Sequence, residues 1–160
     1  MSLISDQLIP WQQKFGRNNL PWQETKDPYF IWISEIMLQQ TQVKTVLPYY
    51  QRFINAFPNI KTLALAADDD VMQLWSGLGY YARARNLHES AKIIDSKFKG
   101  KFPTKLNDLL SLPGIGRSSA GAICSFAFNQ RTPILDGNVK RIFTRLYGIK
   151  DWAGIISVEK

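Results

Sequence analysis

A single cysteine, Cys124, excludes an internal disulfide and any four-cysteine zinc or iron–sulfur site built by this chain alone. A reducing intracellular home fits that scarcity. Histidine is equally rare: His88, the only one, follows Leu87 inside a helical pattern, where a surface or packing role suits it better than catalysis. No apolar run approaches the roughly 18–20 residues that cross a bilayer. Tyr29–Leu38 is interrupted by Ser34 and Glu35, and Ala120–Phe128 is too short, so no membrane partner is expected. The N-terminus lacks the basic flank, apolar stretch and small-residue cleavage site of a secretory signal. The expected setting is therefore cytoplasmic, and nucleoid-associated in a bacterium. Alternating apolar stretches rich in β-branched residues are missing as well, as are low-complexity tracts and repeats of fixed period.

What is present is apolar spacing of three and four residues, which predicts an all-α fold with short connections. With 160 residues and 45% apolar side chains the chain fills one core and is too short for two ordinary domains. Helices are expected over Leu3–Phe15, Tyr29–Leu38, Val43–Ala56, Lys61–Ala66, Asp69–Trp75, Tyr81–Phe98, Leu106–Leu112, Arg117–Phe128 and Gly137–Tyr147. Tyr29–Leu38 is apolar nearly all round, which predicts burial. Pro48 demands a kink or a helix start nearby.

Acidic side chains number 13 against 20 lysines and arginines, a net charge of +7. Such a surplus attracts a polyanion. Any one lysine is most simply a solvated surface charge. Arg83, Arg85, Arg117, Lys140 and Arg141 differ, because each lies at a helix start or beside a glycine turn, where phosphate contact explains it. In Leu112-Pro113-Gly114-Ile115-Gly116 the two glycines permit left-handed backbone angles and close approach of a partner. The amides at Gly116–Ser118 then open a helix and point outward as an anion site. A plain helix–helix turn is the simpler alternative for these residues taken alone.

Two carboxyls stand out. Glu35 is surrounded by apolar neighbours from Phe30 to Leu38, so desolvation should raise its pKa and keep it protonated as a general acid. A solvent-tipped glutamate on the helix's one polar edge is the alternative. Asp136 lies just before a helix, where amide hydrogen bonds would hold it ionised. N-capping alone accounts for its position. One carboxyl pushed up and one pushed down nevertheless suits protonation of a leaving group beside a developing cation.

Leu20-Pro21-Trp22, the run from Ser34 to Val43 (SEIMLQQTQV), the run from Gly77 to Leu87 (GLGYYARARNL), the hairpin with Arg-Ser-Ser-Ala-Gly-Ala after it, and Ile134 to Arg141 (ILDGNVKR) occur in the order seen in MutY-type adenine DNA glycosylases. The resemblance runs from about Trp11 to Trp152. It implies the helix–hairpin–helix glycosylase bundle, with the hairpin element at about 106–128, and double-stranded DNA containing an adenine mispair as partner. It further implies excision of adenine opposite 8-oxoguanine or guanine. Glu35 matches the acid that protonates adenine N7, Asp136 the carboxylate that stabilises the sugar oxocarbenium, and Asn138 a residue that orders the site. Gln40 and Tyr80 match wedge residues, and Trp22 would line the adenine pocket; core aromatics are the alternative for Tyr80 and Trp22. Gly114, Gly116, Arg117 and Ser118 match the phosphate-binding hairpin. Carbonyls at Leu110, Leu112 and Ile115 match those that hold a monovalent cation there.

Endonuclease III relatives carry a lysine nucleophile where this chain has Ser118, so a monofunctional enzyme is expected rather than a glycosylase/lyase. The resemblance also implies a [4Fe–4S] module and an 8-oxoguanine-recognition domain beyond Lys160; within this chain no cofactor is expected. Residues 1–160 then form one catalytic-domain fragment, either active or a DNA-binding piece alone. The Leu3–Phe15 helix would lose its packing partner, which leaves Trp11 uncovered or paired with a second copy.

Overall fold

The computed structural model describes residues 3–150, and each regular element among them is helical. In chain order these are α1 (Leu3–Phe15), a 3-10 turn (Pro21–Gln23), α2 (Pro28–Leu38), α3 (Val43–Ala56), α4 (Ile60–Ala64), α5 (Asp68–Trp75), α6 (Ala82–Lys97), α7 (Leu106–Leu110), α8 (Arg117–Phe128) and α9 (Gly137–Leu146). The central one is α2. Its start follows from two adjacent residues: the Asp27 carboxylate accepts from the Tyr29 amide at 2.9 Å, and Pro28 takes the first helical position, where no N–H is needed. Trp32, Ile33 and Met37 are fully buried, as the all-round apolar pattern predicts. Around this helix pack α3, α6, α8 and the 3-10 turn.

Trp75, Tyr50, Phe53, Leu63, Leu87 and Ile123 complete a continuous core, each contributing about 1.5–3 kcal/mol by burial. The Tyr29 hydroxyl, inside that core, donates to the Phe57 carbonyl at 2.6 Å. Helix α3 runs through Pro48 without ending. Pro48 and Lys44 are both exposed, so the carbonyl that loses its partner faces water. The Leu106–Leu112 prediction overshoots: α7 stops at Leu110, because Pro113 disfavours helical backbone at Leu112. The predicted Lys61–Ala66 helix starts one residue earlier, since the Asn59 side chain caps the Thr62 amide at 2.9 Å.

His88 is buried and packs through Nδ1 onto Asp68 at 2.9 Å, the packing role expected of it. Helix α1 keeps Leu8, Ile9, Trp11 and Phe15 more than half exposed. No helix among the described residues is long and apolar enough to cross a membrane.

Candidate active site

Glu35 projects from α2 between two hollows. On one side a pocket of about 230 Å³ is lined by Trp22, Ile31, Ser34, Glu35 and Phe126, among others. On the other a broad cleft of about 940 Å³ is lined by Glu35, Gln39, Gln40, Ser118, Asp136 and Asn138, with Arg17, Lys44 and Arg141 supplying charge. Ser34 donates back to the Ile31 carbonyl at 2.7 Å, so its hydroxyl is satisfied within the helix, and the pocket's ionisable groups are Glu35 and Lys26. Burial pushes the Glu35 carboxyl up to about 7, and the nearby Asp136 carboxylate adds to the shift. The two carboxyls, 101 positions apart in sequence, share one cleft.

Asp136 is held by the start of α9. Its Oδ1 accepts from the Val139 amide at 2.8 Å, and its Oδ2 faces the Asn138 amide nitrogen at 3.4 Å. Arg141 in turn donates to the Asn138 side-chain oxygen at 2.7 Å, which orients that amide. The segment leading to Asp136 lies against α8 because Gly121 has no side chain: a Cβ there would stand 2.7 Å from the Pro133 carbonyl oxygen. Gly121→Ala should therefore destabilise the fold by up to about 2 kcal/mol, the backbone clash of about 1–3 kcal/mol being offset in part by the roughly 1 kcal/mol of added helix propensity. Urea unfolding reads this; a variant as stable as the parent would mean the segment yields freely.

Gln40 and Tyr80, the two residues expected to enter a duplex, are both exposed, and both have left-handed backbone, with φ of +57° and +51°. Each conformation costs a non-glycine residue about 1–3 kcal/mol and persists only where the surroundings enforce it. Trp22 lines the pocket and makes an edge-on contact with Tyr50, ring centroids 5.1 Å apart, so it is both a core neighbour and a pocket wall.

Arg83 corrects the expectation of phosphate contact. Only 8% of its surface is exposed, and its guanidinium donates to the carbonyls of Ile36, Met37, Gln39 and Gly79 and to the Thr41 hydroxyl. Something outside α6 does claim this arginine, but it is the negative end of α2. Arg85 is exposed on the α5–α6 side, in a hollow with Asp68, His88 and Lys92 rather than in the cleft.

The hairpin keeps its predicted place. Leu112 and Ile115 are buried as anchors, and Ser90 donates to the Pro113 carbonyl at 2.9 Å. Only Gly114 uses the left-handed freedom expected of both glycines, at φ +76°; Gly116 sits at φ −88°, with open space where a Cβ would be. No side chain caps α8, so the amides of Arg117 and Ser118 open toward that space. Pro113 has no N–H to offer the Leu110 carbonyl, and the Leu112 carbonyl gives one lone pair to the Ile115 amide at 3.2 Å. An iron–sulfur cluster does not fit the described residues, where Cys124 is buried and the only cysteine.

Sequence reasoning missed Phe126, Gln39, Ser119 and Thr41. Gln39 Nε2 donates to the Gly114 carbonyl and the Ser119 hydroxyl, each at 3.3 Å, tying the end of α2 to the hairpin. Nothing local marks Phe126, since it becomes a pocket wall only when α8 lies beside the Trp22 turn.

A hairpin with open amides thus lies beside a cleft that joins a raised carboxyl to a second carboxylate, a helix–hairpin–helix architecture. Residues 33–160 match the HhH-GPD superfamily of base excision DNA repair proteins, and the chain belongs to that superfamily. Among curated relatives, an adenine DNA glycosylase of Buchnera aphidicola subsp. Baizongia pistaciae is 58% identical over 142 residues, covering 89% of this chain and 40% of its own length. One from Buchnera aphidicola subsp. Acyrthosiphon pisum is 54% identical over 158 residues, or 99% of this chain and 45% of that protein. The adenine DNA glycosylase of Homo sapiens is 42% identical over 151 residues, or 89% and 28%. The chain thus spans less than half the length of these relatives. A thermostable thymine-DNA glycosylase structure superposes with a TM-score of 0.83 at 24% identity, covering 89% of this chain and 65% of that one. A non-covalent endonuclease III–DNA complex gives 0.78 at 21%, covering 94% and 71%. Both are likenesses of fold.

Proposed function

We propose that this chain is the catalytic portion of an adenine DNA glycosylase, which hydrolyses the N-glycosidic bond of adenine mispaired with 8-oxoguanine or guanine. The observation that carries this reading is Glu35, with its carboxyl raised to about 7, standing between a pocket that Trp22 and Phe126 line and the cleft that holds the Asp136 carboxylate. In this reading adenine leaves the stack, a cost of a few kcal/mol, and enters the pocket between Trp22 and Phe126. Gln40 and Tyr80 fill the gap in the duplex. Protonated Glu35 gives its proton to N7, so the base departs neutral. The Asp136 carboxylate, steadied by Asn138, stabilises the sugar cation until water adds at C1′.

DNA is held mainly through phosphates. The open amides at Gly116–Ser118, with Arg117 and Lys140, supply the charge. A monovalent cation on the Leu110, Leu112 and Ile115 carbonyls would add positive charge facing the backbone. Ser118 offers no amine at the position of the lyase nucleophile, which favours a monofunctional enzyme. Cys124, the only cysteine of this chain, cannot hold an iron–sulfur cluster alone, and none of these residue roles depends on one.

The test is single-turnover incubation with a duplex carrying adenine opposite 8-oxoguanine. Free adenine should appear while the strand stays intact until alkali treatment. Salt-sensitive binding without adenine release would favour a DNA-binding piece. A strand nick with a borohydride-trapped adduct would favour a glycosylase/lyase.

A further inference from the structure

The surroundings of Arg83 contain more than a helix cap needs. Nη1 alone reaches the carbonyls of Ile36 at 3.0 Å, Met37 at 2.7 Å and Gln39 at 2.6 Å, which would suffice to close the end of α2. Nη2 is spent entirely on two loops: it donates to the Thr41 hydroxyl and to the Gly79 carbonyl, both at 3.1 Å. Gln39 and Thr41 are the residues on either side of Gln40. Gly79 directly precedes Tyr80, and the guanidinium also lies 5.4 Å from the Tyr80 ring centroid and 5.5 Å from that of Trp75. Trp75 Nε1 donates to the same Gly79 carbonyl at 3.1 Å, which fixes it from a second direction. One planar group thus grips both sides of one left-handed residue and the near side of the other.

We infer that Arg83 is a positioning residue that sets the spacing between Gln40 and Tyr80, and through them governs extrusion of the target base rather than bond cleavage. The inference rests on the wedge roles proposed above. A lysine keeps the charge, but its single ammonium cannot serve the α2 carbonyls and both loops together. Arg83→Lys should therefore retain duplex affinity while losing control of extrusion.

The test uses the 160-residue chain and a duplex with 2-aminopurine in place of the target adenine, opposite 8-oxoguanine; emission rises as the analogue leaves the stack. At saturating protein, Arg83→Lys should bind within about twofold of the parent yet lower the extrusion constant about tenfold, the loss of one hydrogen bond to a charged group. Thr41→Val removes an Nη2 partner, and with it the hydroxyl's long 3.4 Å bond to the Gln39 carbonyl, but leaves Nη1 on the Ile36 and Met37 carbonyls, and should lower it about threefold. Thermal unfolding checks that each variant folds, and if Arg83→Lys does not, Thr41→Val decides alone. Parent-like extrusion by the folded variants would overturn the inference and leave the wedge reading standing. A parent protein that binds this duplex without any rise in emission would overturn both.

Discussion

Glu35→Gln should lower single-turnover adenine release by about 10²–10⁴-fold, the usual contribution of a positioned general acid, while duplex affinity stays unchanged. The amide matches the carboxyl in shape and fills the same space between the two hollows, but it has no proton to give. Parent activity should fall about tenfold per unit above about pH 7, as the acid ionises, and fall again in strong acid, where the Asp136 carboxylate takes up a proton. Stability moves with the same group. The fold disfavours the charged form, so the folded pKa lies above the ordinary 4.5. Below pH 4.5 both folded and unfolded chains carry the proton and nothing is lost. Between pH 4.5 and about 7 the parent loses stability as pH rises, and above that the full penalty applies, of the order of 3 kcal/mol. Glu35→Gln removes the penalty, so its advantage in thermal unfolding should be larger at pH 8 than at pH 5. An equal difference at both would mean that the carboxyl is hydrated and that the proposed acid is ordinary.

Asp136→Asn is expected to lower adenine release about 10²–10³-fold, the scale for removing a group aimed at transition-state charge. The helix should survive, because asparagine caps about as well as aspartate and can still accept from the Val139 amide. The two carboxyls are coupled, which adds a second readout. Without the Asp136 charge the Glu35 midpoint should fall, yet stay above 4.5, because burial is the larger cause of its shift. Carbon-13 titration of the Glu35 carboxyl measures this directly. A midpoint that does not move would separate the two residues and remove the shared-cleft chemistry.

Much of the local structure was readable from residue types. Pro28 after Asp27, Gly114 in the hairpin and Asp136 before Gly137 mark helix ends by backbone geometry and short-range hydrogen bonds, which depend on few neighbours. The burial of α2 followed from its apolar faces, and the raised Glu35 from its apolar flanks. Arg83 was misread for a physical reason. An arginine in the first turn of a helix looks mismatched with the dipole, and the partners that answer it, around Gln39, lie 44 positions away. Phe126 carries no local mark either; it lines the pocket only through the approach of α8 to Trp22.

The amino-acid order alone therefore determined an all-helical chain with a glycine hairpin, a basic surplus and two carboxyls in contrasting local settings, because propensity, capping and desolvation act over a few residues. Tertiary packing alone decided that Glu35 and Asp136 face one cleft, that Phe126 lines the pocket, and that Arg83 turns inward to hold two strained loops. Contacts between residues 40 to 100 positions apart arise from how helices pack, and helix packing is a property of the whole core.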